Sequence, residues 1–262
     1  INVTDDSFFE HSRTDDEQSI AERVRNAYNE GAEIFDIGGY SSRPGARELT
    51  VEEEWRRVRL GLQIVRREVP EAFVSIDTFR AEIVRRAVEE FGPLIVNDIS
   101  AGELDAEMWD VVAKYRLPYV AMHMRGTPKN MQTNCEYKNV VEEVAVYLAE
   151  RANLLRERGV GADKIILDPG IGFAKNAEQN LKLMRDLYAL TSFGYPVLLA
   201  ASRKSTIGKV LGELPAEERL EGTIATSCQA VYAGANMGRV HDVKENLRAV
   251  RMLEAILCPK PM

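Results

Sequence analysis

Short runs rich in Val, Ile and Leu alternate along the chain with longer stretches whose apolar residues recur three and four positions apart. The short runs are AEIFDIGG, AFVSIDT, PLIVNDIS, LPYVAMHM, KIILDPG, YPVLLAAS and ANMGRVHD. Each is nearly continuous in apolar side chains, as strands buried on both faces are. Stretches such as SIAERVRNAYNEG, VEEEWRRVRLGLQIVRREV and NVVEEVAVYLAERANLLRERG carry charges between their apolar positions and predict amphipathic helices. Gly31 and Gly159 stand where two of these helices should end. Such alternation predicts βαβ units and a parallel sheet. Seven runs are visible, and INV at the start predicts an eighth strand that is cut short. Eight strands in 262 residues suit an α/β fold of the (β/α)8 TIM-barrel class, one domain over residues 1–262 with its first strand truncated. An open doubly wound sheet is the alternative. No G-x-G-x-x-G follows an early strand, which weakens a Rossmann reading.

Composition narrows the partners. Hydrophobic residues make up 45% and charged residues 29%, so the chain can build a large core. A net charge of -7 argues against non-specific binding to nucleic acid or to an acidic membrane. A small anionic substrate needs only a local cationic patch. No uninterrupted apolar run approaches the roughly 18 residues of a membrane span. Cys135, Cys228 and Cys258 form no C-x-x-C pair, so neither a disulfide framework nor a thiolate zinc site is expected, and a reducing cytoplasm fits. His11, His123 and His241 are scattered, with no H-E-x-x-H. The chain opens on INVTDD without a methionine, so a removed leader stays open. Long loops are expected over residues 5–15, 41–49 and 126–137.

The chemistry gathers at the strand ends. They are Asn2, Asp36, Asp77, Asn97 with Asp98, His123, Asp168, Ser202 to Lys204, and Arg239 with His241. A barrel sets these ends on one rim, where site residues belong. An aspartate ending one strand reads as a helix cap. Polar residues ending every strand are harder to read that way, because caps belong a residue or two later. Asp77, Asn97 and Asp168 together would suit a flat, nitrogen-rich heterocycle, since carboxylates accept paired N–H donors and Asn offers both a donor and an acceptor. The same residues could instead form a buried network tying loops together. ASRKSTIG sets cations and hydroxyls at a strand end and helix start, where free N–H groups favour an anion. The bland alternative is a solvated turn with a helix cap.

Seven segments in order resemble the dihydropteroate synthase family: INVTDDSF, DIGGYSSRPGA, SIDT, VNDISA, LDPGIGFAK, ASRKSTIG and RVHDV. The resemblance spans essentially the whole chain. It implies a barrel, often homodimeric, that joins 4-aminobenzoate to a hydroxymethyl-dihydropterin pyrophosphate with Mg²⁺. By matching motifs it assigns Asp77, Asn97, Asp168, Phe173, Lys204 and Arg239 to the pterin, Arg239 by stacking. Ser42, Arg43, Pro44, Lys204 and Ser205 would meet 4-aminobenzoate, Ser205 at its carboxylate. Asn2, Arg43, Arg239 and His241 would face the pyrophosphate, with Asn2 next to the metal. Asp6, Arg43, Asp77 and Lys204 would carry the catalysis. Two departures bear on loop closure: Asp5 replaces the usual Pro of the first loop, and Ser42 replaces the usual Thr of the second.

The absence of a nucleophile–base pair in the sequence is consistent with that chemistry. Neutralised pyrophosphate leaves well, and an aromatic amine is already neutral at about pH 7. Asp6 and Asp77 are candidates to stabilise the resulting pterin cation. The rival readings are a pterin-binding methyltransferase domain, a Schiff-base aldolase using Lys204 with Arg203 lowering its pKa, and a pterin-binding protein without turnover.

Overall fold

The computed structural model describes residues 1–3, 13–40, 47–127 and 131–258. Two compact units form, one from Ile1–Ala121 with Leu154–Lys164, the other from Met122–Asn153 with Ile165–Met262.

The first unit carries α1 (Arg13–Asn29), β1 (Ile34–Gly38), α2 (Val51–Glu68), β2 (Phe73–Asp77), α3 (Ala81–Phe91), β3 (Ile95–Asp98), α4 (Met108–Tyr115) and the start of β4 (Tyr119–Met122). β1 to β4 are parallel neighbours in sequence order. The predicted cut-short strand is one bridging residue, Asn2, paired in parallel with Gly38. Register then sets Gly38 beside Asp77 and Asp77 beside Asn97.

Local sequence explains how α2 is placed. Thr50 and Glu53 form a capping box: Thr50 Oγ1 accepts from Glu53 N at 3.2 Å and Thr50 N donates to Glu53 Oε2 at 2.8 Å. Acidic residues fill its first turn, and Arg66 and Arg67 its last, as the helix dipole favours. Val58, Leu62 and Val65 lie on one face and are 0% exposed. Burying each contributes about 1.5–3 kcal/mol. A side chain on Gly61 would come within 2.6 Å of Ile37 on β1, so the helix–strand approach requires glycine there.

After α5 (Val140–Glu157), the second unit contains β5 (Ile165–Asp168), α6 (Ala177–Arg185), α7 (Tyr188–Thr191), β6 (Leu198–Leu199), α8 (Ser205–Val210), α9 (Leu220–Tyr232), β7 (Met237–Gly238) and α10 (Val243–Leu257). Leu167 bridges Val197 in parallel, and β6 pairs in parallel with β7. β6 and β7 are shorter than their apolar runs. Val197 N donates to the Asn236 side chain at 3.0 Å, so a side chain replaces backbone where the ladder would begin. Asn176 and Gln179 form a second capping box, which starts α6. Gly31 and Gly159 have φ of 103° and 89° and close their helices as predicted.

Candidate active site

In the first unit, Asn2, Gly38, Asp77 and Asn97 line up at the strand ends. Asn97 is 4% exposed, and its Nδ2 donates to Asp36 Oδ2 at 3.1 Å. That bond orients the amide, while Asp77 stays half-buried beside it. A carboxylate and an oriented amide on adjacent strands can accept and donate within one plane. Asp98, one residue on, points elsewhere. It accepts from Ser100 N at 2.8 Å, Ser100 Oγ at 2.7 Å, Gly102 N at 2.8 Å and Tyr119 Oη at 2.7 Å. Both of its oxygens are used by the fold.

The loop that follows β1 is flanked by a charged cluster that the sequence reading missed. Glu54, in the first turn of α2, is 0% exposed. It accepts from Thr78 Oγ1 at 2.6 Å and lies 2.9 Å from Arg80 Nη1. Arg80 donates onward to the Leu49 carbonyl at 2.7 Å, and Arg57 to the Gly39 carbonyl at 3.2 Å. Burial pushes the Glu54 carboxyl up, against the pull of Thr78, Arg80 and Arg57. The expected site residues Asp6, Ser42, Arg43 and Pro44, and Asp5 with them, lie outside the described residues.

In the second unit, Asp168 ends β5 and is 2% exposed. Among the described residues its hydrogen-bond donor is Gly170 N, at 2.7 Å from Oδ1. Burial pushes its carboxyl up, against Lys204, the Gly170 N–H, Lys175 and Arg239. Gly170 has a φ of 69°, and a side chain there would lie 2.0 Å from the His123 carbonyl oxygen, so this turn needs glycine on both counts. Lys204 caps α8, donates to the Ile171 carbonyl and holds its ammonium 4.9 Å from the Phe173 ring centroid. Thus Asp168, Phe173 and Lys204 meet around one turn. Ser205 opens α8 and is exposed.

Arg203 does not fill its expected role of adding free charge at this helix start. It has a φ of 56° and is committed to Asp242, through Nε at 2.8 Å and Nη2 at 2.6 Å. The paired fork is the strong geometry for a guanidinium, and it holds the left-handed backbone in place. Its neighbour Ser202 sits 2.9 Å from His241 Nδ1 and also accepts from His241 N at 3.2 Å. Which of the two donates in the Ser202 Oγ–Nδ1 contact is set by the imidazole tautomer. Partial burial of the ring, with Arg239 and Arg203 nearby, lowers the His241 pKa and favours neutral imidazole. Arg239 follows β7, with its N–H bonded to the Leu199 carbonyl at 3.1 Å.

Two more ionisable residues are buried in the second unit beside the turn after β5. Lys175 is 3% exposed and His123 2%. Lys175 Nζ lies 2.9 Å from His123 Nδ1. The sequence reading left His123 without a role and passed over Lys175. The signal for Lys175 was a lone cation closing the apolar, glycine-rich GIGFA.

Residues 1–241 match the family described as pterin binding enzyme. The dihydropteroate synthase of Synechocystis sp. is 40% identical over 256 residues, 98% of this chain and 88% of that one. The dihydropteroate synthase of Escherichia coli K12 is 39% identical over 99% of this chain and 91% of its own. Among solved structures, Xanthomonas albilineans dihydropteroate synthase with 4-aminobenzoic acid matches at a TM-score of 0.90, 35% identity, and 99% and 92% coverage of the two chains. The same organism's enzyme in complex with 7,8-dihydropteroate matches at 0.88, with 32% identity and the same coverage. The fold class is therefore the α/β barrel that the strand pattern predicted, and the chain belongs to the dihydropteroate synthase family of transferases in folate synthesis.

Proposed function

We propose that the chain condenses 6-hydroxymethyl-7,8-dihydropterin pyrophosphate with 4-aminobenzoate, giving 7,8-dihydropteroate and pyrophosphate. The observation carrying this reading is the turn after β5. A buried aspartate with hydrogen-bonding capacity to spare stands there with an aromatic ring and an ammonium. In that unit Asp168 would accept from pterin N–H donors, Phe173 and Arg239 would lie against the ring, and Lys204 would donate to its acceptors. In the first unit Asp77 and Asn97 would offer the pterin a carboxylate and an amide. Ser205, with Ser42, Arg43 and Pro44, would meet 4-aminobenzoate.

Asn2 contributes one neutral oxygen, with Arg43, Arg239 and His241 as further pyrophosphate contacts. Among the described residues no cluster of three metal-ligating side chains occurs. A single amide oxygen still fits Mg²⁺, which commonly takes one or two protein ligands and fills its shell with phosphate oxygens and water. When bound, the ion would neutralise the leaving pyrophosphate. The C–O bond to pyrophosphate breaks, Asp77 and Asp6 stabilise the pterin cation, and the neutral amine forms the new C–N bond and releases a proton. Catalysis is then positioning and electrostatics.

The reading includes a homodimer and a cytoplasmic location. Tyr232 on α9 and Met252 and Ile256 on α10 are 68%, 62% and 63% exposed, an apolar surface that a second copy would cover. Among the described residues Cys135, Cys228 and Cys258 form no disulfide, which suits a reducing compartment. Among the described residues no helix is long and apolar enough to cross a membrane. Incubation with the pterin pyrophosphate, 4-aminobenzoate and Mg²⁺ should release dihydropteroate and pyrophosphate in equal amounts. Pterin binding without product would reduce the chain to a binding protein.

A further inference from the structure

Lys175 buries a full ammonium behind the turn after β5. Its Nζ donates to the Phe173 carbonyl at 2.8 Å, to the Gly170 carbonyl at 3.0 Å and to His123 Nδ1 at 2.9 Å, with the His123 carbonyl at 3.4 Å. The three ammonium protons find three close acceptors, so the group is satisfied. Yet each acceptor is neutral, and a buried cation held without a bonded carboxylate is costly.

The turn has other anchors. Gly172 N donates to Asn180 Oδ1 at 2.9 Å, Asn180 Nδ2 donates to Thr206 Oγ1 at 3.0 Å, and Tyr137 Oη donates to the Ala174 carbonyl at 3.0 Å. A neutral donor could fill the remaining carbonyls at lower cost. What a neutral residue could not supply is charge, and the carboxylate that feels this charge is Asp168.

We infer that Lys175 is a positioning residue for Asp168: its buried ammonium fixes the turn between Asp168 and Phe173 and supplies the charge that keeps Asp168 ionised to receive a ligand's N–H donors. This rests on the reading that Asp168 binds the pterin. The charged groups facing Asp168 are Lys204, Lys175 and Arg239. Those facing Lys175 are Asp168, Lys204, Arg125 and Cys135, beside the His123 ring. Lys204 and Arg239 remain in a Lys175 variant, so the effect is graded rather than total.

The test is calorimetric titration of a pterin into the wild-type chain, Lys175→Met and Lys175→Gln between about pH 6 and pH 9, with steady-state kinetics in both substrates. Pterin binding by the wild type, and its loss in Asp168→Asn, supports the reading that Asp168 binds the pterin; the absence of wild-type binding sinks that reading and this one together. Given wild-type binding, Lys175→Met should weaken the pterin about tenfold near pH 6, where Lys175 still carries its charge. The deficit should shrink toward about pH 9, because burial brings Lys175 down to about 7 and the wild type then gives up the charge that the variant lacks; KM for 4-aminobenzoate should stay unchanged. Lys175→Gln should show the same pH-dependent deficit, because it keeps a donor and loses the charge. A deficit that is constant with pH, equal for both substrates or absent would overturn the assignment. An independent measurement avoids any question of folding. An ammonium can only donate, so below about pH 6.5, where Lys175 is charged, His123 in the wild type should hold its proton on Nε2 and stay neutral in nitrogen NMR. Titration of His123 in that range, or the opposite tautomer, would also overturn it.

Discussion

Asp98 ends β3 and Asp168 ends β5, and at 0% and 2% exposure both are buried. Burial raises both carboxyl pKa values. By depth and by direction of shift the two are alike. They part in what surrounds them. Asp98 takes two donors on each oxygen, from Ser100 N and Oγ and from Gly102 N and Tyr119 Oη. Tyr119 has no freedom to turn its proton away, because its oxygen already accepts from Trp109 Nε1 at 3.3 Å. Asp168 takes Gly170 N and faces ammonium and guanidinium charge. A carboxylate saturated by its own fold holds a loop; one left with acceptor capacity among cations is available to a ligand.

The sharpest way to break this comparison is to neutralise each carboxylate in turn. Asp98→Asn puts an amide NH₂ against backbone N–H groups that cannot reverse. The expected loss of stability is about 3 kcal/mol or more, read from denaturant unfolding. Asp168→Asn should leave unfolding within about 1 kcal/mol of wild type. Its cost should fall on pterin affinity, about 1.5–3 kcal/mol for a charged hydrogen bond. Equal unfolding losses, or an Asp168→Asn variant that binds pterin normally, would erase the distinction.

Next in size is Lys204. Its ammonium both meets the Ile171 carbonyl and lies by the Phe173 ring. Lys204→Ala should therefore weaken the pterin by about 2–3 kcal/mol and slow turnover. A loss confined to thermal melts, with both substrates bound normally, would move Lys204 from Asp168's side of the comparison to that of Asp98.

The strand pattern carried far because it is local. All seven apolar runs are strands, and the three quoted amphipathic stretches fall in α1, α2 and α5. The ends of those strands did hold the polar residues. Which strand-end residue serves the fold was not legible, because the deciding partners come from far along the chain. Tyr119 reaches Asp98 from 21 residues away, and Thr78 reaches Glu54 from 24. Arg203 looked like free charge beside Lys204, and Asp242, 39 residues on, claims it. Lys175 and His123 are 52 residues apart and mean little until folded together. Periodicity records which face is buried; it does not record who satisfies a charge once buried.

The pH dependence of stability gives a third probe. Burial brings Lys175 down to about 7 from the ordinary lysine value of 10.5. Between those values the unfolded chain holds a proton that the folded chain has released. The unfolded state then binds more protons, so this group makes stability rise with pH across that window. The slope is at most about 1.4 kcal/mol per pH unit. Unfolding free energies of wild type and Lys175→Met should diverge in that sense above about pH 7, the wild type gaining relative to the variant. Parallel profiles would mean that Lys175 is not titrating there.

The smallest expected effect is at Ser205, and it separates two uses of one helix start. Lys204 and Ser205 are adjacent, but the Lys204 side chain turns back to the Asp168 turn while Ser205 opens α8 and is exposed. If Ser205 receives the aminobenzoate carboxylate, Ser205→Ala removes one hydroxyl donor, worth about 1 kcal/mol. KM for 4-aminobenzoate should rise about fivefold, with pterin affinity nearly unchanged. Lys204→Ala should give the reverse pattern. A solvated turn with no ligand would instead show both variants losing stability with neither substrate singled out. Kinetics in each substrate, run beside thermal melts of both variants, distinguish these cases. Equal effects of both substitutions on both substrates would show that the two residues are not divided between ligands, and the contrast between a committed and an available side chain would then stop at Asp168.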